Sequence, residues 1–106
     1  MKVSDNQTQV SAEIIQEGLL RVAVDRTNLK EFPWQTVVYF HVRESGEDWK
    51  AGGIVFHLSD KLVSTIDFSS KLITNKNDIK VTVKNFFSCA KYSEKEVVVQ
   101  RERSSL

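Results

Sequence analysis

The chain has 106 residues, one domain's worth, and that length buries a core without a disulfide or metal staple. Its 41% hydrophobic and 27% charged residues are those of an ordinary globular domain, not of a disordered chain. Fifteen Lys and Arg against fourteen Asp and Glu leave a formal charge of +1, which argues against a nucleic-acid or anionic-membrane partner; no apolar run reaches the ~20 residues of a membrane span.

Residues 1–8 are polar and without period, and read as a flexible N-terminal arm lacking the apolar stretch of a secretory signal. Period-two alternation then marks short strands. Val10, Ala12 and Ile14 share one parity; Leu20, Val22 and Val24 alternate with Arg21, Ala23 and Asp25. Val38, Phe40 and Val42 alternate with Tyr39, His41 and Arg43, and Ile54, Phe56 and Leu58 with Val55 and His57. Residues 59–73 could carry a helix or a strand. The poor helix formers Val63-Ser64-Thr65-Ile66 and the shared parity of Leu62, Ile66 and Phe68 favour a strand. Ile79, Val81 and Val83 give the cleanest alternation, and Val97-Val98-Val99 reads as a last short strand. Turn chemistry separates these runs at Glu17-Gly18, Glu44 to Asp48 and Asn75 to Asp78. The sequence thus predicts an all-β fold: a single domain over residues 9–100, built as a two-sheet antiparallel sandwich of about seven strands, with a charged tail at 101–106.

Within that pattern, Val38 to Lys50 resembles the third strand and following hairpin of fibronectin type III domains: alternating aromatic and aliphatic residues, then Arg43, a turn at Gly46 and Trp49. Ile73 to Val83 resembles that family's corner between its fifth and sixth strands, with Asn75, Asn77 and Ile79 where the family has Pro, Thr and Tyr. Ala23 or Val24 stands in place of the second-strand Trp. The resemblance spans most of residues 10–100 and implies an immunoglobulin-like sandwich in which the loops at one pole, here Leu29–Gln35 and Ser88–Lys95, often contact partners.

No catalytic constellation emerges. His41 and His57 both fall on outward parities, and an enzyme reading requires them to be neighbours with an acid beside them. Two histidines without paired spacing make a poor metal site, the lone Cys89 reads as a small hydrophobe, and the four glycines form no phosphate loop. No cofactor is therefore expected. The Asn6-Gln7-Thr8 sequon and the Ser104-Ser105-Leu106 ending are patterns short enough to arise by chance.

The side chains suited to contact are Trp34, Tyr39, Trp49 and Tyr92. The sequence points to a non-enzymatic module that binds another protein, through loops Leu29–Gln35 and Ser88–Lys95. The alternative is a small carbohydrate- or ligand-binding domain that stacks sugars on the same aromatics. Strands Val10–Gln16 and Val97–Gln100 are expected at sheet edges, so the chain should be mainly a monomer with weak edge-strand self-association. A complete chain of this composition suits the cytoplasm, and an excised extracellular module would look the same.

Overall fold

In strand β7 (Asp78–Ser88) the side chains of Ile79, Val81, Val83 and Asn85 are all fully buried, so alternation drives this strand into the centre of the molecule. The computed structural model describes residues 1–5, 7–58, 60–88 and 90–99. Around β7 it places β1 (Lys2–Val3), β2 (Gln9–Gln16), β3 (Leu19–Asp25), β4 (Gln35–Arg43), β5 (Lys50–Val55), β6 (Val63–Ser69) and β8 (Lys91–Val99). A five-stranded sheet runs in the order β1-β8-β7-β4-β5, and a three-stranded sheet in the order β2-β3-β6. Every pairing is antiparallel except β1 with β8.

The two sheets enclose one core. Leu20, Val22 and Val24 of β3 and Phe68 of β6 face Val38, Phe40 and Val42 of β4 and the buried row of β7. Leu58 and Ile73 close it from the connections, and Val10, Ala12 and Ile14 of the edge strand β2 pack against it half-buried. The Phe40 and Phe68 rings meet edge to face at 4.9 Å. Gly52 and Gly53 of β5 make room for that contact, because a Cβ on Gly52 would overlap the Phe40 ring.

Several details differ from the sequence reading. Residues 2–3 of the expected arm form β1, with Lys2 opposite Tyr92 and Val3 opposite Ser93, and Thr8 is buried. That adds an eighth, parallel strand to the expected seven. The final strand begins at Lys91 rather than Val97, because its first half is polar on both faces for reasons given below. Residues 63–69 are strand, as their β-branched run indicates. The inward parity of Ile54 and Phe56 is reversed: β5 carries a bulge opposite Phe40/His41, so Val55 faces the core while Ile54 and Phe56 are exposed. Of the expected edges, β2 is one; β8 carries β1 along only Tyr92 and Ser93. Asn6, Cys89 and the 101–106 tail lie outside the described residues.

The registers sort the connections into two poles. Gln9 opposite Asp25, Asp25 opposite Val63, Gln35 opposite Phe86 and Ser88 opposite Lys91 bring together residues 1–5, 7–8, 26–34, 56–58, 60–62 and 90. This end is called the N-terminal pole. The turn pole collects the connections at 17–18, 44–49 and 70–77, where Gly18 and Gly46 take φ of 87° and 84°.

Candidate interaction face

The N-terminal pole is braced by a line of buried polar side chains. Arg26 follows β3 and is 2% exposed; its Nη1 donates to Thr36 Oγ1 at 2.9 Å and its Nη2 to the Lys61 carbonyl at 2.6 Å. Thr36 Oγ1 donates to Asn85 Oδ1 at 2.7 Å. The Asn85 amide donates to Thr8 Oγ1 at 3.0 Å and to Asp5 Oδ2 and Ser93 Oγ at 3.3 Å. Ser93 Oγ donates to Asp5 Oδ2 at 2.9 Å, while the Gln7 and Thr8 backbone N–H groups donate to Oδ1. Donors thus point one way, from the Arg26 guanidinium to the Asp5 carboxylate, and bonds so aligned polarise one another. This explains why β8 begins polar: Ser93 faces this line, and Glu94 on the other face takes ion pairs from Lys2 and Lys84.

Charge states follow from the contacts. Burial alone would raise the Asp5 pKa, but the Thr8 N–H, the Thr8 and Ser93 hydroxyls and the Gln7 N–H outweigh it and hold the carboxyl below its usual range. Burial lowers the Arg26 pKa, opposed by Asp60, and a guanidinium keeps its charge through such a shift. Glu94 is held low chiefly by the hydrogen bond from Lys2.

On this braced end sit large apolar side chains in water. Phe32, Trp34, Phe56, Leu62 and Val63 are all exposed, Trp34 at 61% and Phe56 at 65%. Their backbone is tied down: the Trp34 N–H donates to the Phe86 carbonyl, the Arg26 N–H to the Leu62 carbonyl, and Gln35 Nε2 to the Phe56 carbonyl. Phe32 lies under the Arg26 guanidinium at 4.8 Å. A run of rings leads onto the outer face of the large sheet, with Trp34 6.3 Å from Phe86 and Phe86 5.9 Å from Tyr92. Beside it an open cavity of about 160 Å³ lies among Val3, Asp5, Leu29, Phe87 and Lys91, where Lys91 pairs with Glu31 at 2.9 Å. The Met1 ammonium donates to the Ala90 carbonyl nearby.

The four aromatics singled out from sequence divide. Trp34 and Tyr92 come together through Phe86, inside the two loops expected to form the contact face. Tyr39 stands mid-sheet on the outer face, sharing Lys84 with Tyr92 at 5.7 Å from each ring. Trp49 lies at the turn pole, clamped by Arg43 at 4.3 Å and Lys80 at 4.8 Å, and is not part of the pole site. Phe86, Phe32, Phe56 and Leu62 escaped the sequence reading. Phe86 carried a signal, since it occupies the outward parity of β7 where a large apolar side chain has no core to fill.

His41 pairs with Ala51 and meets the Tyr39 ring edge-on at 5.4 Å, whereas His57 lies two residues beyond Val55, the partner of Val38. The N–H of Leu58, the next residue, donates to the Thr36 carbonyl, five residues along β4 from His41, a strand length on the order of 17 Å. The two imidazoles are not the neighbours an enzyme reading requires. No cluster of three metal-ligating side chains occurs among the described residues. No protein-family profile, curated protein or solved structure matches the chain.

Proposed function

We propose that the chain is a non-enzymatic protein-binding module on an immunoglobulin-like sandwich, docking another protein through its N-terminal pole. The strand order supports the fold reading: β2-β3-β6 against β8-β7-β4 follows the A-B-E and G-F-C order of such sandwiches, and β5 occupies the extra position beside C. The observation that carries the function is that Phe32, Trp34, Phe56, Leu62 and Val63 are all exposed to solvent at one braced end. Folding gains nothing from leaving these side chains wet, while an interface core is made of such groups. The braced loops have little freedom left to lose on docking, which favours binding. The rim mixes both charge signs, Lys30 and Lys61 with Glu31 and Asp60, and suits a partner surface of mixed charge.

Affinity capture with the wild type and with Trp34→Ser combined with Leu62→Ser tests this reading. Partners held by the wild type should be lost by the variant, and an unchanged partner set overturns the assignment of this pole. The exposed Trp34 ring, backed by Phe86 and Tyr92, also favours the sugar-stacking alternative. A saturable shift of tryptophan emission on a glycan panel, abolished by Trp34→Ser, would transfer the same face to carbohydrate.

A further inference from the structure

We propose that β5 pairs antiparallel with β5 of a second copy, joining two five-stranded sheets across a two-fold axis. The argument begins with how the sheet edges are protected. Edge strands usually carry charges or are covered, because their free backbone groups invite another strand. β2 has Glu13 and a bulge between Ile14 and Gln16, β6 has Asp67 in an ion pair with Arg21, and β8 carries Lys91, Glu94, Lys95 and Glu96 besides β1. β5 also has a bulge, at Gly52, but its only charge is Lys50 at its first residue; from Ala51 to Val55 it carries none, and at its centre stand two glycines without side chains to shield the backbone.

The occupant follows from the pleat of β5. Ala51 and Ile54 oppose His41 and Tyr39 and face outward; Lys50, Gly53 and Val55 oppose Val42, Phe40 and Val38 and face inward. The bulge at Gly52 breaks the ordinary alternation and leaves a pattern that reads the same from either end. Antiparallel partners point to the same face of a sheet. Turning a second β5 about a point between Gly52 and Gly53 sets Lys50 opposite Val55, Ala51 opposite Ile54 and Gly52 opposite Gly53. Like faces then meet at every side-chain position and no like charges are opposed. Shifting by one residue in either direction puts an outward side chain against an inward one, as with Lys50 against Ile54 or Ala51 against Val55.

This is the self-complementarity an isologous interface demands. The apolar hollow of about 370 Å³ lined by Tyr39, His41, Ala51, Gly52 and Gly53 receives Ile54 of the other copy, a side chain 46% exposed in the single chain.

Sedimentation velocity from micromolar to millimolar concentration tests the proposal. The wild type should shift from monomer to twice its mass, Ile54→Lys and Ala51→Lys should stay monomeric with unchanged far-ultraviolet dichroism, and Val98→Lys on β8 should dimerise as the wild type does. The register is tested separately in a Cys89→Ser background. Ala51→Cys combined with Ile54→Cys should oxidise to a covalent dimer, whereas either cysteine alone should not, because each faces the other position across the axis. A wild type that remains monomeric throughout, an Ile54→Lys variant that still dimerises, or single cysteines that cross-link as readily as the pair would each overturn it.

Discussion

At the turn pole, each loop is held by its own residues: the Leu72 N–H donates to Ser70 Oγ, the Lys76 N–H to Thr74 Oγ1, and Asn77 Nδ2 to the Leu72 carbonyl. Ties between loops there are backbone ones, Gly18 N–H to the Ile73 carbonyl and Ser70 N–H to the Gly18 carbonyl. At the N-terminal pole, side chains do the long-range bracing, and the bonds to Asn85 and Ser93 reach across as many as 88 residues of sequence. The first arrangement chiefly reverses the chain, with Arg43 pairing with Asp78 and clamping Trp49 together with Lys80, and Leu72 its one exposed large apolar side chain among the described residues. The second holds several connections in fixed relation and presents apolar groups on them. A loop cluster whose outer surface must keep a shape needs cross-bracing, and this difference is what supports the proposal that the N-terminal pole is the docking face.

Asn85 is where this comparison breaks most sharply. Its side chain is fully buried and bonds Thr36, Thr8, Ser93 and Asp5 at once. Asn85→Leu keeps the volume but strands those partners, and should cost about 4 kcal/mol in urea unfolding. Asn77→Ala at the turn pole removes a bond within one loop and should cost about 1 kcal/mol. Equal losses would mean that the two poles are braced alike.

Asp5→Asn comes next, at about 2 kcal/mol near neutral pH, since an amide nitrogen cannot accept from Asn85 and Ser93. The folded carboxyl titrates below its ordinary value of 3.8, so the unfolded chain takes up the proton first as pH falls. Its stabilisation is complete above the unfolded pKa and is lost as pH drops from about 4 through the folded value. The wild type should therefore lose stability in that acid window more steeply than Asp5→Asn. Parallel acid limbs would show that the cage around Asp5 does not favour its charged form.

Legibility in the sequence followed the same divide. Period-two runs mark β3, β4 and β7 because the alternating rows Leu20-Val22-Val24, Val38-Phe40-Val42 and Ile79-Val81-Val83 are apolar and buried, and Gly46 and Asn75 to Asp78 mark turns that depend on local chemistry. β1 and the first half of β8 could not be read that way. β1 is two residues long, too short to show a period, and the one buried residue at the start of β8, Ser93, is satisfied by accepting from Asn85 and donating to Asp5, which leaves no hydrophobic period. Asn85 did leave a trace, continuing the inward parity of Ile79, Val81 and Val83 as a polar residue. Ile54 and Phe56 were misread because a bulge at Gly52 inverts parity, and only the pairing with β4 reveals it. Of the candidate face, Trp34 and Tyr92 are legible by residue type, while their grouping with Phe86 depends on register.

Gly46→Ala sets the scale for the turn pole. A Cβ there meets nothing within 4 Å, so the cost is that of the left-handed backbone at φ 84° alone, about 1 kcal/mol. Thermal unfolding should register that loss while leaving partner binding intact, because the two poles share no side-chain contact that the substitution touches. Loss of binding by Gly46→Ala would join the poles functionally and dissolve the contrast.

The smallest effect is the most telling. Trp34→Ser and Leu62→Ser remove large side chains that are 61% and 48% exposed, and each should change stability by less than about 0.5 kcal/mol. The Trp34 ring touches Phe86 only in a tilted arrangement at 6.3 Å, and Leu62 takes part in the bracing through its carbonyl, which serine retains. On the proposed function, such an apolar group serves for what it meets from outside rather than for folding. Urea unfolding of the two variants decides the point without knowledge of any partner: midpoints matching the wild type leave contact as the use of these side chains. A loss of more than about 1 kcal/mol would make them part of the fold and remove the reason for placing an interface at this pole.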